Sequence, residues 1–273
     1  MLAKSSDSPR ADALLLLERA LGRPRAWIVA HDEAVVAARA AAEFAALCKR
    51  RASGTPIAYL LGYAGFYGRE FVVNPRVLIP RPETEHLVDA AIAFINQREA
   101  DRDNPPLVLD VGVGSGAVAC TLAAETQAAV DGTDTSHAAI ELANENARRL
   151  EVVGRCRFYQ GDLADPVQDR RYDLIIANLP YVPTRDLPKP PEPASFEPRE
   201  ALDGGHDGLD CYRRLLPATP HLLKPNALVL LEAAAPNIEA LASLTRKSLP
   251  DFTISVCRDY AALPRYVKAQ GAR

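Results

Sequence analysis

The chain has 273 residues, 48% of them hydrophobic and 25% charged, with a net charge of -3. This is ordinary globular composition, enough for one large or two smaller domains, and the absent basic excess leaves no overall footprint for nucleic acid. Five scattered cysteines without a C-x-x-C pair, and five dispersed histidines, argue against a disulfide framework or a metal site. No apolar run approaches membrane-spanning length, so a reducing cytoplasm is the expected location.

The first sixty or so residues read as helical. "ADALLLLERALGR" places Leu14, Leu17 and Leu21 on one face, with Gly22 as a stop, and "EAVVAARAAAEFAALCKRRASG" brings Phe44, Leu47 and Cys48 together before Gly54. The texture changes at "YLLGYAGFYGREFVVNPRVLIPRPETE", where Gly62, Gly65, Gly68, aromatics and β-branched residues predict a hairpin or extended connector. Strand and helix then alternate: "LVLDVG" (107–112) is a buried strand, "AVACTLAAE" (117–125) its helix, and "AVDGTD" (129–134) the next strand. "SHAAIELANENARRL" is a helix capped by Ser136 with Ile140, Ala143, Ala147 and Leu150 on one face, and "CRFYQ", "YDLIIA" and "ALVLLEA" are further strands. Such alternation predicts an α/β domain, a mostly parallel sheet with helices on both faces. Residues 1–65 are thus expected to be a helical domain, 66–83 a connector, and 84–273 the α/β domain.

Three features fall outside that pattern. Six prolines between Pro183 and Pro198 exclude a helix or central strand and predict a long loop after a strand end, where a substrate lid would sit. The paired basic residues (Lys49-Arg50-Arg51, Arg148-Arg149, Arg170-Arg171, Arg213-Arg214) read as solvated faces. Cys120 and Cys257 lie in apolar runs and read as core.

"DVGVGSGA" (110–117) occupies the turn from strand to helix. Glycines there allow a tight turn and close ligand approach, with helix N–H groups pointing at the ligand. Asp134 follows Gly114 by twenty residues, at the end of the next strand, where its carboxylate can accept from ribose hydroxyls. An adenosine-containing cofactor follows; NAD and S-adenosylmethionine both fit the pattern. Asp110 ends a buried strand and needs a cation, a polar ligand or a backbone donor. Asp162 and Leu163, in "QGDLAD", are placed to border an adenine ring.

"NLPY" (Asn178 to Tyr181) ends the buried strand "YDLIIA". The Asn178 side-chain oxygen and the adjacent Leu179 carbonyl are two acceptors that match the two hydrogens of an NH2 group. Tyr181 offers a flat apolar face, and Pro180 restrains Leu179 to extended geometry, fixing the direction of its carbonyl. Hydride transfer has no use for such a clamp, whereas methyl transfer to nitrogen needs the lone pair oriented. This favours S-adenosylmethionine as cofactor, with S-adenosylhomocysteine as product.

On these motifs the chain resembles the HemK/PrmC family, S-adenosylmethionine-dependent methyltransferases that modify the glutamine of the GGQ motif in class 1 peptide chain release factors. The similarity runs through "DALLLLERALGRPRAWIVAHDE" (12–33), "GTPIAYLLGYAGFYGREFVVNPRVLIPRPETE" (54–85), "LDVGVGSGAVA" (109–119), Asp134, and "EPREALDGGHDGLDCYRRL" (197–215). It implies a class I, Rossmann-like methyltransferase fold with a helical N-terminal domain that recognises the protein partner. Gly112, Val113, Gly114, Ser115, Gly116, Asp134, Leu163 and Asn178 would line the cofactor. Asn178, Leu179, Pro180 and Tyr181 would bind the glutamine amide, with Asn178 and Tyr181 as the catalytic pair. A cytoplasmic monomer is implied, with no membrane, metal or direct nucleic-acid partner. The family's usual tetrapeptide is N-P-P-Y, and restoring that proline at Leu179 is expected to leave activity similar or raise it. N-L-P-Y also resembles the ribosomal-RNA adenine dimethylases, so an adenine amino group remains an alternative acceptor, as does a ribosomal-protein glutamine. "RPETE" favours the release-factor branch. "LEAAAPN" and "AALPRYV" depart from the family's glycine-containing forms.

Overall fold

The structure, a computed structural model, describes residues 8–98 and 105–271. Residues 1–7 of the expected helical domain therefore lie outside the described residues. Helix α1 (Pro9–Leu21) opens with proline, whose fixed φ suits a first helical turn, and stops at Gly22 with φ +60. The chain continues through α2 (Arg25–Ala30), α3 (Ala38–Ala52) and α4 (Ile57–Leu61). The buried face differs from the one read in the sequence: Leu16 and Asp12 point inward on α1, and Leu14, Leu17 and Leu21 are only half-buried. Leu16 packs with Leu47, Cys48 and Leu60. Arg51 also differs, being buried, with its Nε 2.7 Å from the Asp12 carboxylate. A small helical core has too little apolar surface to close over α3 without it, and the paired carboxylate makes a buried guanidinium tolerable.

The hairpin of β1 (Tyr63–Phe66) and β2 (Arg69–Val72) follows, and then α5 (Glu85–Arg98). The second part alternates β3 (Leu107–Val111), α6 (Ala117–Glu125), β4 (Ala129–Asp134), α7 (His137–Arg149), β5 (Cys156–Gln160), β6 (Tyr172–Ala177), α8 (Asp210–Leu215), β7 (Leu223–Glu232) and α9 (Ile238–Ser248). It closes with β8 (Phe252–Arg258) and β9 (Pro264–Gly271), strands that the sequence pattern did not reveal. The seven strands lie in the order β5-β4-β3-β6-β7-β9-β8. Neighbours from β5 to β7 are parallel, and β9 runs antiparallel to both β7 and β8. One face packs α5, α6 and α7 on the sheet, and the other packs α8 and α9. All six residues of β6 are buried, as expected of a central strand covered on both faces.

Strand order reverses direction beside β3, and ligands of open parallel sheets bind at the carboxyl ends there. Val111 pairs with Ala177 in register, so Gly112 and Asn178, the next residues of adjacent strands, come side by side. The hairpin is tied to this edge through Asn146 on α7. Its fully buried amide accepts from Val72 N at 2.8 Å and donates to Val72 O (3.0 Å) and Ser115 O (2.8 Å). One side chain thus joins the hairpin to the glycine loop.

Candidate active site

The glycine loop turns because its backbone can occupy the left-handed region. At Gly112, φ is +80 and a Cβ would meet Leu179 Cδ2 at 3.0 Å, so the loop and the "NLPY" segment can touch only if this residue has no side chain. At Gly116, φ is +81 and a Cβ would meet Ala143 at 3.1 Å, where α6 and α7 cross closely. Gly112 N and Val113 N both donate to Thr133 O (2.8 and 2.9 Å), and Gly114 N donates to Asp134 Oδ2 at 2.9 Å. Asp134 Oδ1 accepts from Ser136 N at 2.9 Å. Burial raises the Asp134 pKa, outweighing these two backbone donors.

A cavity of about 250 Å³ opens against this loop. Gly112, Asp134, Leu163, Asn178, Leu179 and Pro180 line it, as does Asp162. Leu163 has φ +47, an uncommon backbone state for a branched side chain and one found where structure constrains function. Asp162 pairs with Arg214 from α8 at the rim. Of the loop residues expected to line the cofactor, only Gly112 reaches the cavity wall; Val113, Ser115 and Gly116 are buried behind it, and Gly114, half-buried, does not line it either. Asp110 finds the backbone donor it needs: Oδ2 accepts from Ala119 N at 3.1 Å, near the start of α6. Burial nevertheless pushes its pKa up to about 7.

A second cavity, about 240 Å³, lies against the same wall and is lined by Arg81, Tyr181, Val182, Asp186, Pro188 and Ala194 among others. Leu78, Asn178, Leu179 and Ala201 border both. The proline-rich loop thus reaches the edge of this second cavity through Asp186, Pro188 and Ala194. It also packs on the helical part, where a Cβ on Gly54 would meet Pro191 O at 2.3 Å.

The shared wall has a defined polarity. Asn178 Nδ2 donates to Thr84 Oγ1 at 3.0 Å. Asn178 Oδ1 and the Leu179 carbonyl accept no hydrogen bond among the described residues. The Leu179 N–H donates to Tyr212 Oη at 3.2 Å, and the Leu179 side chain is buried. Tyr181 O accepts from Asn237 Nδ2 at 3.1 Å. Burial and the nearby Glu232 carboxylate raise the Tyr181 phenol pKa, so it stays protonated.

Sequence reasoning missed three supporting residues. Thr84 sits in the quoted "RPETE" stretch but had no role, Tyr212 gave no signal, and Glu232 ends an apolar strand as Asp110 does, an anomaly that could have marked it. The described residues contain no group of three or more His, Cys, Asp or Glu able to hold a metal, and no helix long and apolar enough to cross a membrane.

Residues 1–62 match the PrmC N-terminal domain family, and residues 87–188 the methyltransferase small domain family. The release factor glutamine methyltransferase of Moorella thermoacetica is 39% identical over 97% of this chain and 90% of its own length. That of Bordetella pertussis is 41% identical over 88% and 87%. Among solved structures, the T. thermophilus 16S rRNA N2 G1207 methyltransferase, in complex with AdoMet and guanosine, is 17% identical with a TM-score of 0.56. It covers 77% of this chain and 50% of that one, and shows the shared class I methyltransferase fold. With the "NLPY" wall, the glycine loop and near full-length identity together, the chain belongs to the release factor glutamine methyltransferase family.

Proposed function

We propose that this site methylates the side-chain amide nitrogen of the GGQ glutamine in class 1 release factors. The observation that carries the reading is the pair of free acceptors, Asn178 Oδ1 and Leu179 O, on the wall shared by the two cavities. Bound S-adenosylmethionine would supply a methyl group on a positively charged sulfur. Asp134 is positioned for ribose hydroxyls, since each carboxylate oxygen keeps a lone pair beyond its backbone donor. The rest of the cofactor would lie in the cavity lined by Gly112 and Leu163.

An amide nitrogen is a poor nucleophile because its lone pair is delocalised. Two acceptors on its hydrogens fix the amide plane and turn the lone pair toward the donor side of the wall. They also favour the positive charge that develops on nitrogen. Tyr181, neutral throughout, covers the planar amide. No general base is required, because the nitrogen becomes acidic once methylated.

The helical domain is the element left for partner recognition. Its described residues contribute nothing to either cavity wall, and it exposes Val29 (66%) and Val35 (98%). The reading places the reaction in the cytoplasm, carried out by a monomer on a protein without direct nucleic-acid contact. The "NLPY" likeness to adenine dimethylases is outweighed by the near full-length relatives. The test is single-turnover methylation with labelled S-adenosylmethionine of release factor, a release factor with its GGQ glutamine changed to alanine, ribosomal RNA and ribosomal protein. Label confined to the intact factor is the expected result, and equal label on the alanine control overturns it.

A further inference from the structure

Among the described residues, two charged side chains line the second cavity, Arg81 and Asp186. Asp186 is exposed and pairs with its neighbour Arg185. Arg81 is held from behind. Its Nη2 donates to Glu197 Oε1 at 2.6 Å, and Glu197 Oε2 accepts from Ile79 N at 3.3 Å. The Glu197 side chain is 2% exposed and that of Arg81 32%. A buried carboxylate near the end of the proline-rich loop thus grips the connector at two points. Pro82 favours the extended backbone of Arg81 (φ -103, ψ 138), which adds to this fixing.

A guanidinium carries five N–H donors and no acceptor. Among the described residues Arg81 uses only its bond to Glu197, which leaves donors for an acceptor brought into the cavity. The substrate offers two kinds. One is the oxygen of the glutamine amide. A cationic donor there would draw the nitrogen lone pair further into the amide and slow methyl transfer, working against Asn178 and Leu179. The other is the main chain beside that glutamine. The residues before it in GGQ are glycines, with no side chain to hold. Their carbonyl oxygens are what a cavity with free donors can grip, and a planar fork already fixed by a carboxylate loses little freedom in doing so.

We infer that Arg81 binds a main-chain carbonyl beside the reacting glutamine, with Glu197 as the residue that positions it. This inference rests on the proposed binding of the GGQ glutamine in this cavity. Asn178 and Leu179 hold the far end of the glutamine side chain, and Arg81 holds its root. It explains why a carboxylate is retained buried beneath a surface loop, where an unpaired charge is costly.

The test follows single-turnover methylation against release-factor concentration for full-length wild type, Arg81→Gln, Arg81→Lys, Glu197→Gln and Asn178→Ala. Each is checked by thermal melting and by calorimetric titration with S-adenosylmethionine. Arg81→Gln should raise the half-saturating release-factor concentration by roughly 10- to 100-fold, the range for a hydrogen bond from a charged group. Its saturating rate should stay within about 3-fold, because a main-chain contact is made equally before and during transfer. Arg81→Lys, a point charge without the fork, should fall between wild type and Arg81→Gln. Glu197→Gln should shift half-saturation in the same direction and add little to Arg81→Gln, since the two act as one unit. Pro198, Glu200 and Ala201 of the neighbouring loop line the cofactor cavity, so a residue that merely fastened the loop would lose cofactor affinity as well. That affinity should stay within about 2-fold for Arg81→Gln, as expected of separate sites. Parallel loss of both affinities overturns the inference, and so does unchanged half-saturation. A loss confined to the saturating rate would put Arg81 on the reacting amide and overturns it too. Should Glu197→Gln not fold, the two Arg81 variants decide alone. Asn178→Ala should do the reverse, lowering the saturating rate with half-saturation near wild type. A wild-type rate for Asn178→Ala beside weakened Arg81→Gln would remove the amide clamp and leave Arg81 as a release-factor contact.

Discussion

The two cavities on either side of Asn178 and Leu179 are built by different means. The cofactor side draws its fixed parts from a short stretch of chain: strand, glycine turn, helix, and the acid ending the next strand, all within residues 107–136. Its hydrogen bonds are mostly backbone to backbone or backbone to carboxylate, as in Gly112 N to Thr133 O and Gly114 N to Asp134. The acceptor side gathers Thr84, Asn178, Tyr212 and Glu232 from segments far apart in sequence, and its contacts depend on side chains: Asn178 Nδ2 donates to Thr84 Oγ1, and Tyr212 Oη bonds the Leu179 N–H and the Glu232 main-chain carbonyl. Backbone geometry tolerates many side chains around it. Contacts made by side chains from distant segments fail when any one of those side chains is lost. Binding the cofactor should therefore be the robust property of this protein and aiming the amide the fragile one.

The largest expected effect lies on the fragile side. Asn178→Ala removes one of two acceptors from the reacting amide and should lower single-turnover methylation by about 10²- to 10³-fold. Its stability should change by only about 1 kcal/mol, read from urea unfolding, because a single partly exposed hydrogen bond is lost. Equal losses in turnover and stability would erase the contrast between the two sides.

Next comes the stability cost of keeping Glu232. Its pKa rises from 4.5 to about 7 in the fold, so the folded state holds a proton that the unfolded chain releases. The contribution of this group is fully favourable below about pH 4.5 and is lost as pH rises through 7. Glu232→Gln should therefore melt higher than wild type at pH 8, by up to roughly 3 kcal/mol at about 1.4 kcal/mol per tenfold change in proton affinity. The gap should close near pH 5. A melting difference independent of pH would show that the buried carboxyl is not its cause.

On the cofactor side, Asp134→Ala should weaken S-adenosylmethionine binding by about 1–3 kcal/mol, measured by calorimetry. The release-factor KM should stay unchanged. Loss of cofactor affinity accompanied by a raised release-factor KM would show that the two sides are coupled through the shared wall.

The smallest effect belongs to Leu179→Pro, for which the sequence predicts similar or higher activity and the structure adds a cost in stability. The carbonyl survives the change, but the Leu179 N–H bonded to Tyr212 Oη and the buried side chain against Gly112 do not. A loss of roughly 1–2 kcal/mol in stability is expected from the missing hydrogen bond and the lost packing. An unchanged urea midpoint would show that the Leu179 hydrogen bond and packing contribute little.

Sequence alone determined the elements whose signals are local. Helical spacing with Gly22 as stop, the strand–glycine–helix turn at 110–117, Ser136 as cap, and the amide and proline at 178–180 are all specified by residues within a turn or two of each other. So was the association of a glycine loop with an acid twenty residues on, because one strand, one helix and one further strand leave little freedom in where that acid lands. Tertiary structure decided what depends on strand order and burial. The β8–β9 hairpin alternates half-exposed residues along one strand and gave no strong apolar run. Arg51 looked like part of a solvated basic face until the fold set Asp12 beside it. Thr84, Tyr212 and Glu232 meet at Asn178 because β6 lies between β3 and β7. That order is a property of the whole packed sheet, fixed by burying both of its faces at once, and no local periodicity encodes it.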